Sequence, residues 1–227
     1  MKTLKKGISM LLIALTISAC SSDDDKAATQ DFLTISFEDP AFEAEFYQSG
    51  STDIVNVTSS LGEPSIVLSD DTDVTISYNE MTGQVEWTNL LPLGINNVTL
   101  IATADDGTKA SVDITIENIL QGNFSGGYNF NADSTVITSS DYAMSFNRDG
   151  TMTINDEGQI GSGTWASNGN QILFTITYNA NPDNHYTFNG TIVHNEIEVS
   201  LSGLWYKGET VNAEMVEGYY NVNFQEL

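Results

Sequence analysis

The sequence predicts an all-β protein, a β-sandwich followed by a small antiparallel meander β-barrel. Three observations predict it. Apolar and polar residues alternate with period two through most of residues 31–227, in runs bounded by Gly, Asn and Asp. Helical periodicity is hard to find beyond the first twenty residues. Ten Phe, nine Tyr and three Trp, spread along the chain, supply apolar mass enough for one large or two small cores.

The chain opens Met1-Lys2-Thr3-Leu4-Lys5-Lys6, continues through an apolar run from Ile8 to Ile17, and reaches the small residues Ser18 and Ala19 before Cys20. A positive start, a short apolar core and a small-residue cleavage site make a secretory signal, and the run is too short to span a bilayer, which takes about 20 apolar residues. Ile17-Ser18-Ala19-Cys20 resembles the lipobox of bacterial lipoproteins. The resemblance implies a signal peptide of residues 1–19, cleavage before Cys20, and acylation of both its thiol and its new amino group. Two or more acyl chains anchor stably where one holds only marginally. Cys20 is also the only cysteine, so an exported chain has no disulfide framework and no spare thiol for catalysis or metal.

Residues 20–30 form an acidic tether that begins Cys20-Ser21-Ser22-Asp23-Asp24-Asp25. This pattern resembles the export tag of surface lipoproteins of the Bacteroidetes, and implies a lipid anchor in the outer membrane with the protein displayed on the cell surface. Cleavage removes three lysines and leaves four basic residues (Lys26, Lys109, Arg148, Lys207) against 31 acidic ones, a net charge of about −27. Nucleic acid is excluded as a partner, because binding phosphate takes Lys and Arg to displace counterions.

Residues 31–118 carry the signals of the sandwich. Val74-Ile76-Tyr78 and Val85-Trp87 alternate with polar residues, and Pro92-Leu93-Gly94 makes a turn. Val98-Leu100-Ala102-Ala104 then pairs with Val112-Ile114-Ile116 across Asp105-Asp106-Gly107, since Asp-Gly between alternating runs is a strong hairpin signal. The stretch from Leu93 to Gly107 resembles the closing strands of bacterial immunoglobulin-like modules, and a strand count near seven suits that fold.

Residues 119–227 read as eight or nine sequential strands joined by short turns. Tyr128 and Phe130 share one face. Tyr142-Met144-Phe146 turns at Arg148-Asp149-Gly150 into Met152-Ile154, and Gly163-Thr164-Trp165 turns at Asn168-Gly169-Asn170 into Ile172-Phe174-Ile176-Tyr178. Tyr186-Phe188-Ile192 turns at His194-Asn195 into Ile197-Val199-Leu201-Gly203-Trp205, and Val211-Ala213-Met215 turns at Glu217-Gly218 into Tyr220-Val222-Phe224. A meander of this kind closes to remove its exposed edges, and eight strands enclose either packed side chains or one small ligand. Gly163-Thr164-Trp165 and Gly203-Leu204-Trp205 resemble the Gly-x-Trp tripeptide of lipocalin- and avidin-like barrels, whose Trp plugs one barrel end. In that family the tripeptide lies on the first strand, whereas here the two fall on about the third and seventh.

Candidate sites are few. His185 and His194 are too few for catalytic zinc, which wants three protein ligands, and both read as exposed turn residues. No nucleophile elbow or triad spacing is present, so the chain is expected to be no enzyme. Asp70-Asp71-Thr72-Asp73 and Asp105-Asp106-Gly107 offer oxygen ligands to calcium, but neither matches the alternating calcium loop and turn chemistry explains both; no other cofactor is expected. Trp165, Trp205, Tyr128, Tyr178 and Tyr186 cluster in the second half among many Asn, a chemistry that suits sugars. Alternating strands also bury such residues as core. Tyr206 and Tyr219 fall on the opposite parity and read as exposed. Trp165, Trp205, Tyr206 and Tyr219 are therefore the expected ligand-binding residues.

The expected function is a surface-anchored lipoprotein acting as a non-catalytic binding module for a glycan or another small organic ligand. The alternative is a structural or protein-interaction component of the cell envelope, with a filled barrel and another envelope protein as partner.

Overall fold

The computed structural model describes residues 31–69, 74–139 and 141–225. The signal peptide, Cys20 and the tether lie outside the described residues, as does the Asp70–Asp73 candidate for calcium. Among the described residues no helix is long and apolar enough to cross a membrane.

Nine strands, β1 (Leu33–Ser36), β2 (Ala41–Glu45), β3 (Gly50–Ser51), β4 (Asn56–Ser59), β5 (Ser65–Leu68), β6 (Ile76–Asn79), β7 (Gln84–Trp87), β8 (Gly94–Thr103) and β9 (Lys109–Ile119), build the first part. Strand β2 runs parallel to β9, and β9, β8 and β5 follow as antiparallel neighbours. The other layer holds β3-β7-β6 and the pair β1-β4. Thr52 and Val55 donate their amides to Val85 and Gly83, so β3 and β4 act as one bent strand that joins β1 to β7. The layers thus follow the ABED and CFG order of an immunoglobulin-like sandwich. Between them lie Ile35, Val55, Ile76, Val85, Trp87, Leu100, Ala102, Ile114 and Ile116. The β8–β9 hairpin has the register its sequence implies, with Val98 opposite Ile114 and Leu100 opposite Val112. Gly107 takes φ of 89° in its turn, where a side chain would be strained.

Eight further strands form a closed antiparallel barrel in sequence order. These are β10 (Gly122–Tyr128), β11 (Tyr142–Phe146), β12 (Thr151–Asp156), β13 (Gln159–Asn168), β14 (Gln171–Tyr178), β15 (Asn181–His194), β16 (Val199–Lys207) and β17 (Val216–Gln225). Pairing of β10 with β17 closes it, from Asn123 opposite Gln225 to Tyr128 opposite Tyr220. Inward parity supplies Phe124, Met144, Phe146, Met152, Ile154, Ile172, Phe174, Ile176, Phe188, Ile192, Leu201, Tyr220 and Val222, each at most 4% exposed. The middle of the barrel is therefore filled with side chains.

The fold departs from the sequence pattern at several places. No strand covers Val211–Met215; Asn212 accepts the Glu214 amide and caps a single 3-10 turn at Ala213–Met215, so the barrel has eight strands. Ile197 is 95% exposed in the turn before β16 rather than in it. Phe130 lies in the loop beyond β10, which ends at Tyr128, although its ring still packs on Tyr128 at 5.5 Å. The two Gly-x-Trp tripeptides lie on the fourth and seventh barrel strands.

Sandwich and barrel share a junction. Phe46 of the sandwich, 3% exposed, lies 6.4 Å from the Phe124 ring and meets Phe224 edge-on at 5.4 Å, so it closes the adjoining barrel end. Tyr47, held at φ of 57°, donates its hydroxyl to the Asn195 carbonyl. Arg148 donates to the Ala44 carbonyl and lies 3.2 Å from a Glu43 carboxylate oxygen. His194 was expected as an exposed turn residue; instead it ends β15 at this junction, half-buried against Phe46, with Nε2 3.3 Å from the Leu90 carbonyl oxygen.

Candidate functional site

At the barrel end opposite Phe46 the side chains leave a chamber of about 120 Å³, lined by Tyr128, Phe130, Tyr142, Asp156, Tyr178, Tyr186, Phe188 and Trp205. Each strand delivers its contribution by parity. Asp156 follows Met152 and Ile154 along the inward row of β12, and Tyr142 sits directly opposite it on β11. Tyr178 follows Ile172, Phe174 and Ile176 on β14, while Tyr186 and Trp205 come from the matching end of β15 and β16.

The walls are aromatic and cross at steep angles. Tyr128 meets Tyr142 at 5.1 Å and Trp205 at 6.0 Å; Tyr178 meets Tyr186 at 5.7 Å. The polar groups gather on Asp156. Tyr128 donates to both of its oxygens at 3.3 and 3.2 Å, and Tyr178 donates to one at 3.1 Å. Burial, then the neighbouring carboxylate, pushes the Tyr128 hydroxyl up to about 12 and raises Tyr178 further still. Burial likewise raises Tyr142 far above its ordinary value. All three therefore stay protonated and able to donate at any physiological pH. The Tyr142 hydroxyl is buried and has no hydrogen-bond partner among the described residues.

One loop organises the mouth. Asn129, 2% exposed, donates through its amide to the carbonyls of Ser134 and Val136 and accepts from the amides of Asn131 and Tyr219. Its own carbonyl accepts the Trp205 indole N–H at 2.9 Å, which fixes that ring. Gly218 makes this possible, since a Cβ there would collide with the Asn129 carbonyl and the indole nitrogen. Next to Asn129, Phe130 is 70% exposed yet packs edge-on against Trp205 at 5.4 Å and Tyr128 at 5.5 Å. It is a flap of the chamber wall on the solvent side.

The expected ligand-binding residues part company. Trp205 lines the chamber, together with Tyr128, Tyr178 and Tyr186. Trp165 does not: it packs on Phe146 near the other end and donates to the Asn147 carbonyl. Tyr206, read as exposed, is 5% exposed; it pairs with Thr187, which is itself buried and bonded to Gly208 of the following connection. Tyr219 is half-buried, its amide held by Asn129. Alternation missed Asp156, although a carboxylate on the row of Met152 and Ile154 was a readable signal. Phe130 had no such signal, since its place depends on the loop.

A second concavity lies between sandwich and barrel, a cleft of about 1030 Å³ whose lining includes Tyr47, Trp87, Asn89, Gln121, Asn123 and Asn147. Among the described residues no three His, Cys, Asp or Glu side chains converge as metal ligands. At the Asp105-Asp106-Gly107 turn the Asp106 carboxylate accepts the Thr108 amide, which holds it below the usual carboxylate range. His185 pairs with Glu209 at 3.2 Å.

No family model and no curated protein matches the sequence. Among solved structures, Drosophila OTK, extracellular domains 3–5, is similar over 82% of this chain and 58% of that one, with 13% identity and a TM-score of 0.31. This chain thus spans less than two thirds of that one.

Proposed function

We propose that the protein is a surface-anchored lipoprotein, held in the outer membrane through lipid on Cys20, and that its barrel is a non-catalytic binding module for a small organic ligand. The observation that carries the reading is the chamber. A closed barrel otherwise packed to the centre leaves one lined space at its free end, with a fixed indole, a flap and a buried hydroxyl lacking a partner. The Tyr142 hydroxyl, buried beside the chamber and unpaired among the described residues, is a group with which a ligand there can hydrogen-bond. At about 120 Å³ the chamber is below the 300–1,000 Å³ of drug-sized sites, so it takes a head group or a very small molecule.

Two observations favour other readings. The cleft between sandwich and barrel has the size and the mixture of amides and aromatics that a glycan needs. The filled middle of the barrel suits a structural component that contacts another envelope protein. Thermal unfolding of the whole chain against a panel of metabolites and oligosaccharides separates the three. A ligand at 100 times its dissociation constant adds about 2.7 kcal/mol of stability. Small molecules whose shift is lost in Trp205→Ala support the chamber. Oligosaccharides whose shift survives that change support the cleft, and a blank panel leaves the envelope-protein role.

A further inference from the structure

We propose that the chamber is a receptor for a small organic cation, an alkylammonium head group. This inference rests on the binding reading above and names the ligand class. The walls are seven aromatic rings and one carboxylate, with no basic residue and no amide among them. Such a lining suits each ligand class differently. A carboxylate or phosphate would meet Asp156 with no countercharge, and burying an unpaired like charge is costly. A sugar would lose most of its hydrogen bonds to water and find only Asp156 and a few phenol hydroxyls in exchange. A neutral hydrocarbon would gain from the rings but would leave the Asp156 charge without a counter-charge and the Tyr142 hydroxyl unpaired.

A cation answers both features at once. Ring faces attract positive charge through their quadrupole, most strongly for Trp, and cages of steeply crossed rings are the recognised receptors for alkylated ammonium groups. Trp205 crosses Tyr128 at 80° and Phe130 at 77°, which makes walls on two sides, while Phe188 stacks on it at 24°. Asp156 supplies the counter-charge, and it is held toward the rings by the donated hydroxyls of Tyr128 and Tyr178. The Tyr142 oxygen, unpaired among the described residues, is a further acceptor for an ammonium N–H where the head group carries one and for the hydroxyl of a hydroxyethyl head group such as choline's. The volume matches a head group of a few heavy atoms, about four waters' worth at roughly 30 Å³ each. The long-range field points the same way, since the mature chain is strongly acidic and draws cations toward its surface.

Calorimetric titration of the whole chain with choline, and with its uncharged isostere 3,3-dimethylbutan-1-ol, tests the proposal. The two probes differ in charge and hardly in shape. Choline is expected to bind at least tenfold tighter than the alcohol. Asp156→Asn should erase that preference. Phe130→Ala, at an exposed position where folding is not at stake, should weaken choline several-fold. Equal binding of the two probes overturns the cation inference and leaves the small-ligand reading standing. Choline binding that is unchanged in both variants overturns the chamber as its site. Absence of binding by both probes overturns the inference, and the chamber reading fails with it if the metabolite panel also leaves Trp205-dependent stability unmoved.

Discussion

Asp156 occupies a place that alternation reserves for an apolar side chain, and its surroundings explain how the barrel tolerates it. Two phenols donate to its oxygens, so the charge is hydrogen-bonded rather than bare. Burial first, and the Asp156 charge second, push the ionisation of these tyrosines upward. An unfolded tyrosine loses its proton near 10, whereas folded Tyr128 holds its proton to about 12 and Tyr178 and Tyr142 hold theirs beyond that. The folded chain therefore binds more protons than the unfolded one in that window. Stability from these groups is fully present below about pH 10 and falls as pH rises through 12. Denaturation midpoints at pH 9 and pH 11 should show the fall, and Tyr128→Phe or Tyr178→Phe should flatten it. Identical slopes in the wild type and both variants would refute the assignment.

At the scale of elements, glycines shape the barrel as much as its apolar rows do. Gly190 and Gly203 face each other on β15 and β16, and a Cβ at Gly190 would run into the Tyr220 hydroxyl. The bare patch is what lets the Tyr220 ring lie across the core, edge-on to Phe188 at 5.3 Å. A Cβ at Gly203 would overlap the Asn189 carbonyl and Gly190 Cα, which are backbone and cannot swing aside. Gly203→Ala is predicted to cost about 1–3 kcal/mol, as overpacking does, read as a lower denaturant midpoint; an unchanged midpoint would show that the strands part more easily than their packing implies.

The same elements show how far the sequence could be read. Strand existence, the β8–β9 hairpin and the meander were legible, because period two and Asp-Gly turns are local signals. What was not legible came from contacts distant in sequence. Residues 211–215 alternate like a strand, yet the Asn212 cap and the absence of a neighbour to pair with leave them as a turn. Outward parity implies exposure for Tyr206, yet it is buried beside Thr187. Trp165 and Trp205 carry the same tripeptide but stand at opposite barrel ends, since antiparallel strands deliver equivalent motifs to either rim. Of the four expected site residues only Trp205 lines the chamber, and Asp156 and Phe130 had to be found in the fold.

For the molecule as a whole, the junction decides whether sandwich and barrel behave as one body. Residues 31–227 cluster as one compact unit. Phe46 extends the barrel core into the sandwich, where its ring meets Phe124, Phe224 and His194. Tyr47 and Arg148 add polar ties on either side. Truncating a buried phenylalanine costs about 3–5 kcal/mol. Phe46→Ala is therefore predicted to replace one calorimetric unfolding transition with two, as the sandwich and barrel lose their coupling. A single transition retained at lower temperature would mean that the polar ties suffice. In either case the chamber at the far rim should keep its ligand affinity, because none of its lining belongs to the sandwich.

A crystal structure of the whole chain grown with the best binder from the metabolite panel shows whether the free end of the barrel holds a small organic ligand. Ligand density is expected in the chamber, against Trp205 and Tyr178 and within hydrogen-bonding or ionic reach of Asp156, with Phe130 closed over it. Density in the cleft between sandwich and barrel, with the chamber unchanged, would contradict that expectation.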